Sequence, residues 1–367
     1  MSKTFCYRQY RPGDEEEIIE LLEMVFNGWP HFDLNCINLE HWNWKYKKNP
    51  LKMIDIELSL IDDKIIGCYH RIPQRIKIGD EIALCHRGSD LAVHPDFRNM
   101  GISTKMIERF NEKYKEIGVQ IVFHFSINPI LITSWEKKYS VFPHDIVNLV
   151  KIKDIKLHLH MMKSENVLFK RIGFHTLKLI NYLRNVFISS ESLCSLAYIN
   201  ILEIKKFDYR IDDFWDEVSK QYNFIVERNK DYLNWRYCNH LGGDYLIKIA
   251  EKDGKILGYI VLRINKSRQD YFLGYVIDIL VLPDHLDVAN ALIIDAINYF
   301  ECQGINRIDC WVIKDSPYER IFKQHMFIDI MNKFQLFYNP IDVGLMDEIE
   351  NIPSSQLHFV MGDTDYI

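Results

Sequence analysis

Ile18, Leu21, Leu22 and Val25 share one face of a helix, with Asp14 at the place of its N-cap. Met106, Ile107 and Phe110 form a second helical face, entered through a loop that follows an apolar strand ending in Val93-His94-Pro95. The apolar, β-branched runs on either side of Asp62-Asp63-Lys64 predict paired antiparallel strands, since Asp suits the backbone of a hairpin turn.

The pattern then recurs. Trp44, Tyr46 and Gly67 reappear 191 residues later as Trp235, Tyr237 and Gly258, and Asp90 to Pro95 reappears 188 residues later as Asp278 to Pro283. The hairpin turn has its counterpart in Asp253-Gly254-Lys255. The second copy keeps the strand-to-helix apolar pattern in Ile279, Val281, Leu292, Ile293 and Ile297. An internal duplication follows.

Between strand and helix the first copy reads Arg98-Asn99-Met100-Gly101-Ile102-Ser103-Thr104. A helix start leaves backbone N–H groups unpaired and carries partial positive charge, so an anion docks there if no bulky side chain intervenes. Gly101 and Ser103 keep the approach open, and Arg98 adds a charge able to pair with phosphate oxygens. The second copy has Leu286 in place of Arg98 and Ala289 in place of Gly101, with Asp287 adding a charge that repels an anion. One diphosphate site per chain is expected.

Arg98-x-x-Gly101-x-Ser103 resembles motif A of the GNAT N-acyltransferase superfamily, Arg/Gln-x-x-Gly-x-Gly/Ala, which grips the pyrophosphate of acetyl-CoA. Ser103 departs from the usual small residue. Tyr7 to Asp14 resembles the first strand and turn of such a domain, and Leu202 to Phe207 a second opening strand. The resemblance implies an α/β fold of mixed sheets: two tandem GNAT-like domains, each a largely antiparallel twisted sheet flanked by helices. The expected division is 1–156 for the domain with the acyl-CoA site, 157–200 for a bridge and 201–367 for a degenerate copy. The co-substrate implied is acetyl-CoA or another acyl-CoA, with no metal. Its pyrophosphate would lie on Arg98 to Thr104, and its thioester carbonyl on the backbone of Leu91, Ala92 or Val93. The pantetheine arm would enter beside a splayed fifth strand, Ile121 to Asn128, where Asn128 matches a common Asn of the family.

The chemistry implied is direct attack of an amine on the thioester. His86 and Asp90, four residues apart and expected on one face of a strand, are the candidate bases, with His124 a further one. Where many GNAT enzymes place an acidic Tyr, this chain has Trp135, and Tyr139 stands one helical turn on. An amino group on a small molecule, sugar or sugar nucleotide is the expected acceptor. The alternatives are an aminoacyl-tRNA-dependent transferase of the peptidoglycan-bridge type and a non-catalytic binding protein of the same fold.

The chain's 367 residues exceed what one core usually serves, and 48% hydrophobic residues can fill two. Eight scattered cysteines without Cys-x-x-Cys pairs predict free thiols in a reducing compartment and no zinc site. With neither a leader-like N-terminus nor a membrane-length apolar run, the expected location is cytoplasmic. The net charge is −6, yet residues 151–190 hold eight basic side chains against Asp154 and Glu165. Beside Leu168, Ile172, Leu177 and Ile180 this charge suggests an amphipathic bridge. It would either pack between the domains or meet an anionic membrane surface or an acidic carrier such as acyl carrier protein or tRNA; no DNA partner is expected. The aromatic segments around Trp44 and Trp235 are read as core anchors or as walls of a polar substrate cleft. Asp363 and Asp365 are read as a solvated tail or as a binding point for a cationic amine.

Overall fold

A computed structural model describes residues 4–30, 34–127, 129–153, 155–161, 199–267, 270–330, 334–342 and 344–364. The first half opens with β1 (Cys6–Gln9) and α1 (Glu15–Phe26), then α2 (Asn38–Trp42), which runs on into a wider π-turn over Asn43–Lys47. β2 (Asp55–Ile61), β3 (Lys64–Ile78) and β4 (Glu81–Val93) form an antiparallel meander, followed by α3 (Ile102–Ile117), β5 (Ile121–Ser126), α4 (Pro129–Trp135), β6 (Ser140–Val141) and β7 (Ile146–Ile152). The second half repeats the order with β8 (Asn200–Ile204), β9 (Phe224–Val226), β10 (Leu246–Lys252), β11 (Lys255–Asn265), β12 (Leu273–Val281), a helix at Leu286–Cys302, β13 (Arg307–Ile313), β14 (Ile328–Asp329), β15 (Gln335–Pro340) and β16 (Leu357–His358).

Both hairpin turns have two consecutive residues of positive φ, Asp62 and Asp63 in one and Asp253 and Gly254 in the other. That is the backbone whose twist matches the flanking strands. α1 starts where Asp14 was expected to cap it, but the carboxylate binds Arg8 at 2.6 and 2.8 Å and the Arg11 N–H at 2.7 Å rather than the helix. Ile102, Met106, Phe110 and Tyr114 bury one face of α3 against the first sheet. Glu57, wholly buried on β2, pairs with Arg109 and Lys113 of that helix and fixes it over the sheet.

The sheets exchange strands. The first runs β1-β2-β3-β4-β5-β15-β6, with β9 on β3 and β16 on β9; the second runs β14-β7-β13-β12-β11-β10-β8. A late strand of each half thus completes the sheet of the other, β7 beside β13 and β15 beside β5. Sheet membership therefore crosses the division expected near residues 156 and 201. Lys151, read above as part of the bridge, lies in β7, where it is buried and donates to the His325 carbonyl at 2.9 Å. Beyond the helix Ile155–Met161, residues 162–198 of the expected bridge lie outside the described residues. No helix among the described residues is long and apolar enough to cross a membrane.

Candidate active site

After Val93 the chain makes a tight turn at Pro95–Phe97, and Asn99 and Gly101 both take positive φ, 63° and 76°, before α3 begins. The first intrahelical bond runs from the Lys105 N–H to the Gly101 carbonyl at 3.0 Å, so the N–H groups of Ile102, Ser103 and Thr104 lie ahead of it. No acidic side chain stands in the first turn, and a Cβ on Gly101 would meet nothing within 4 Å. Glycine is required here for its backbone, and the space in front of the helix is open. Arg98 and Met100 are exposed beside it, Arg98 donating to the Val93 carbonyl at 3.4 Å. In the second half the corresponding helix starts at Leu286 with His285 as its cap and Asp287 in its first turn.

β4 and β5 are parallel and pair only at Cys85–Ile121, His86–Val122 and Arg87–Phe123. Both strands continue past the last pair, to Val93 and Ser126, so a fork opens between them. Gly88 to Leu91 line one arm and His124 to Ser126 the other. The far edge of β5 stays fully paired to β15, which holds that arm in place.

Within the fork β4 carries a bulge: Cys68 opposes Ala92 and His70 opposes Ser89, leaving Asp90 and Leu91 opposite Tyr69 alone, with Asp90 at φ 40°. The extra residue breaks the alternation of faces, so His86 and Asp90 do not share a face as their spacing predicts. Asp90 turns toward α1 and α2, accepting from the Trp29 indole at 3.0 Å, Lys45 Nζ at 2.8 Å and the Tyr46 hydroxyl. The Asp90 carbonyl accepts from His70 Nδ1 at 3.1 Å, because Nε2 of that ring receives the Trp42 indole N–H at 3.2 Å. Burial holds His70 near pKa 4 and therefore neutral.

His86 lies behind the vertex of the fork, wholly buried on the α3 side. Its ring stands edge-on to Tyr114, and Nδ1 is 3.0 Å from Asp55 Oδ2 without hydrogen-bond alignment. His124 is the first β5 residue past the vertex. Its ring stacks on Tyr139 at 4.4 Å and lies 5.1 Å from Trp135, and Nδ1 is 3.4 Å from the Tyr69 hydroxyl. Burial, with the nearby positive charge of Arg71 second, pushes the His124 pKa well down. Burial raises the Tyr139 phenol, which keeps its proton. Asn128 lies outside the described residues. Ala92 is buried toward α1, and Leu91 and Val93 are half-buried under α3.

The sequence reading missed Tyr69 and Arg71. Two basic residues, His70-Arg71, inside an otherwise apolar run from Ile65 to Ile72 were the available signal.

The equivalent fork in the second sheet is filled. β12 and β13 pair from Leu273–Arg307 to Val276–Cys310 and then part, and the C-terminal segment enters the gap. His358 Nε2 bonds the Ile279 carbonyl at 2.9 Å, and Gly362 sits so close to the Tyr237 hydroxyl that a Cβ there would collide with it, and would press on the Ile277 carbonyl at 3.1 Å. Asp363, wholly buried, accepts from Arg228 Nη2 at 2.7 Å, while Arg228 Nε donates to Asp278 at 3.0 Å. Asp363 is thus neither a solvated tail residue nor an amine site, because its charge is spent on an arginine in the core; Asp365 lies outside the described residues.

Residues 6–134 match the model of an acetyltransferase (GNAT) domain, and residues 211–322 that of the acetyltransferase (GNAT) family. Among solved structures, a conserved protein of unknown function from Enterococcus faecalis V583, called a probable N-acyltransferase, is similar over 94% of this chain and 74% of its own (TM-score 0.61, 11% identity). A GCN5-related N-acetyltransferase from Anabaena variabilis is similar over 93% and 74% (TM-score 0.59, 10% identity). The N-myristoyltransferase of Saccharomyces cerevisiae, solved with myristoyl-CoA and inhibitors, is similar over 93% and 81% (TM-score 0.58, 12% identity). No curated protein sequence matches the chain. At these identities the structural likeness speaks for the fold alone.

Proposed function

Since the chain is a tandem pair of GNAT domains, we propose that it is a CoA-dependent N-acyltransferase with one active site, in the first domain. The observation that carries this reading is the contrast between the two copies. In the first, an unobstructed helix start lies beside an open fork; in the second, the glycine and arginine are replaced and the fork is plugged by the C-terminal segment. A chain that used both sites would not close one of them with its own core.

The residues fit the group. The N–H groups of Ile102, Ser103 and Thr104, with Arg98 and the backbone of Asn99, Met100 and Gly101, hold a pyrophosphate. Asn128 is assigned to the same ligand's pantetheine arm. The thioester supplies an activated acyl carbon, and the backbone of Leu91 to Val93 at the bulge orients its carbonyl. The amine nitrogen attacks that carbon, the C–S bond breaks, and the sulfur leaves as a thiol. His124, neutral and on the wall of the fork, accepts the proton of the attacking amine. Tyr139, stacked on it and protonated, supplies one to the sulfur. His86 and Asp90 position rather than react: His86 is sealed behind the vertex, and the carboxylate of Asp90 is engaged by Trp29, Lys45 and Tyr46. We assign acetyl as the acyl group and a small amine or amino sugar as acceptor, with 1–156, 157–200 and 201–367 as functional divisions despite the exchanged strands.

Calorimetric titration with acetyl-CoA of the wild type and of Arg98→Glu tests this. One-to-one binding, weakened at least tenfold by the substitution, is the expected result. No binding by folded wild type would overturn it.

A further inference from the structure

Arg71 is wholly buried, yet none of its three guanidinium nitrogens has a hydrogen-bond partner among the described residues. A buried charge without a partner is strongly destabilising, and a guanidinium offers donors only. Its carbon lies 4.2 Å from the Tyr69 ring centroid, 5.2 Å from that of Phe110 and 5.7 Å from that of Tyr114. Those faces attract a cation but accept none of its N–H bonds in the plane where a carboxylate would. Asp55 acts on Arg71 through space, but its carboxylate lies against His86.

The unpaired donors sit at the fork. Gly88 is the first β4 residue past the last β4–β5 pair. The Cβ it lacks would stand 2.8 Å from the Tyr69 hydroxyl, 2.9 Å from His124 Nδ1 and 3.2 Å from Arg71 Nη1. Polar atoms from β3 and β5 therefore converge on the one β4 position that has no side chain. Burial raises the phenols of Tyr69 and Tyr114, so both remain protonated donors around the arginine.

We propose that Arg71 and the Tyr69 hydroxyl bind a carboxylate of the substrate at the vertex of the fork. One cation, planar and forked, among neutral phenols suits a single planar anion better than a phosphate of higher charge. The inference rests on the acyl-CoA reading, which brings the substrate into the fork. The carboxylate is carried either by the amine, as in an amino acid acylated from acetyl-CoA, or by the acyl group, as in a dicarboxylic half-thioester that would then take the place of acetyl.

The test compares the wild type with Arg71→Met. Calorimetry with CoA alone should give equal affinity for both proteins, which keeps the phosphate loop separate from the cluster. If the acyl group carries the carboxylate, the wild type binds succinyl-CoA at least tenfold more tightly than butyryl-CoA, and the variant loses the preference. If the amine carries it, the two thioesters bind alike, and kcat/KM for thiol release favours 4-aminobutyrate over butylamine at least tenfold in the wild type only. Independently of CoA, sodium succinate should raise the wild-type melting temperature by about 2 °C over sodium chloride at equal ionic strength and leave the variant unmoved. The variant itself should melt at or above the wild-type temperature, because it loses an unpaired buried charge. Absence of all three carboxylate effects, or their persistence in Arg71→Met, overturns the proposal; failure of CoA binding alone strikes the functional reading and leaves the succinate measurement to decide the site.

Discussion

Trp44 and Trp235 stack with ring centroids 5.1 Å apart, and each indole N–H donates to the other's backbone carbonyl, at 3.0 and 3.1 Å. They are equivalent positions of the internal repeat, so the contact is self-complementary, as at the two-fold axis of a symmetric dimer. The strands obey the same symmetry. β7 enters the second sheet and β15 the first, while β6 pairs with β15 and β14 with β7. The chain is built like a strand-exchanged dimer joined into one polypeptide.

Because each sheet contains a strand from the other half, the two halves should unfold together. Urea unfolding followed by tryptophan fluorescence and by far-ultraviolet circular dichroism is expected to give one coincident transition. Trp44→Ala and Trp235→Ala should each cost about 3 kcal/mol or more, through the cavity and through the backbone carbonyl of the other residue, which loses its indole donor. The double variant should cost less than the sum by about 1 kcal/mol, since the ring contact can be lost only once. Two separate transitions would refute the interlocked arrangement.

A second repeated contact sets the bulge. The Tyr46 hydroxyl donates to Asp90 in the first half, and the Tyr237 hydroxyl to Asp278, at 3.0 Å, in the second. Asp90→Ala would leave Lys45, almost fully buried, without this carboxylate, and a loss of about 3 kcal/mol is expected. Asp90→Asn, which keeps an acceptor oxygen, should lose less. Tyr46→Phe should cost about 1 kcal/mol. Chemical denaturation of the three variants checks the order.

Buried histidines predict how stability responds to acid. Burial lowers His41 and His70 from the ordinary 6.5 to about 4, and holds His124 well below 6.5. Between those values and 6.5 the unfolded chain binds protons that the folded chain does not, so stability rises with pH in that window. The contribution is whole above pH 6.5 and is lost as the pH falls toward 4, on the order of 3 kcal/mol for each of His41 and His70. Melting temperatures across this range should fall on acidification, and His70→Gln, which removes one titrating ring, should flatten the slope.

The duplication and the contrast between its two helix starts were legible in the sequence because both are written in spacing and residue type: Trp44 to Trp235, and Arg98 with Gly101 against Leu286 with Ala289. The exchange of β7 and β15 was not, since the periodicity of an apolar strand such as Ile146 to Ile152 states that it is buried and not beside which neighbour. The relation of His86 to Asp90 failed for a local reason. Counting by twos assumes an unbroken ladder, and the positive φ of Asp90 inserts a residue into it. Asp363 looked like a tail because its partner, Arg228, is 135 residues away. Arg71 was passed over because a charge inside an apolar strand looks like noise until the structure leaves it unpaired.

Asp363 gives the last prediction. Its carboxylate and that of Asp278 share Arg228, and all three side chains are wholly buried. Asp363→Ala removes one of two counter-charges, and a loss of about 3 kcal/mol is expected, more than for an exposed ion pair. The variant loosens the plug in the second fork without supplying what a diphosphate needs, since Leu286 and Asp287 still stand at the helix start. Calorimetry of the folded variant should therefore still give one acetyl-CoA per chain. A second site appearing there would mean that the C-terminal segment, and not the lost loop, is what keeps the second copy empty.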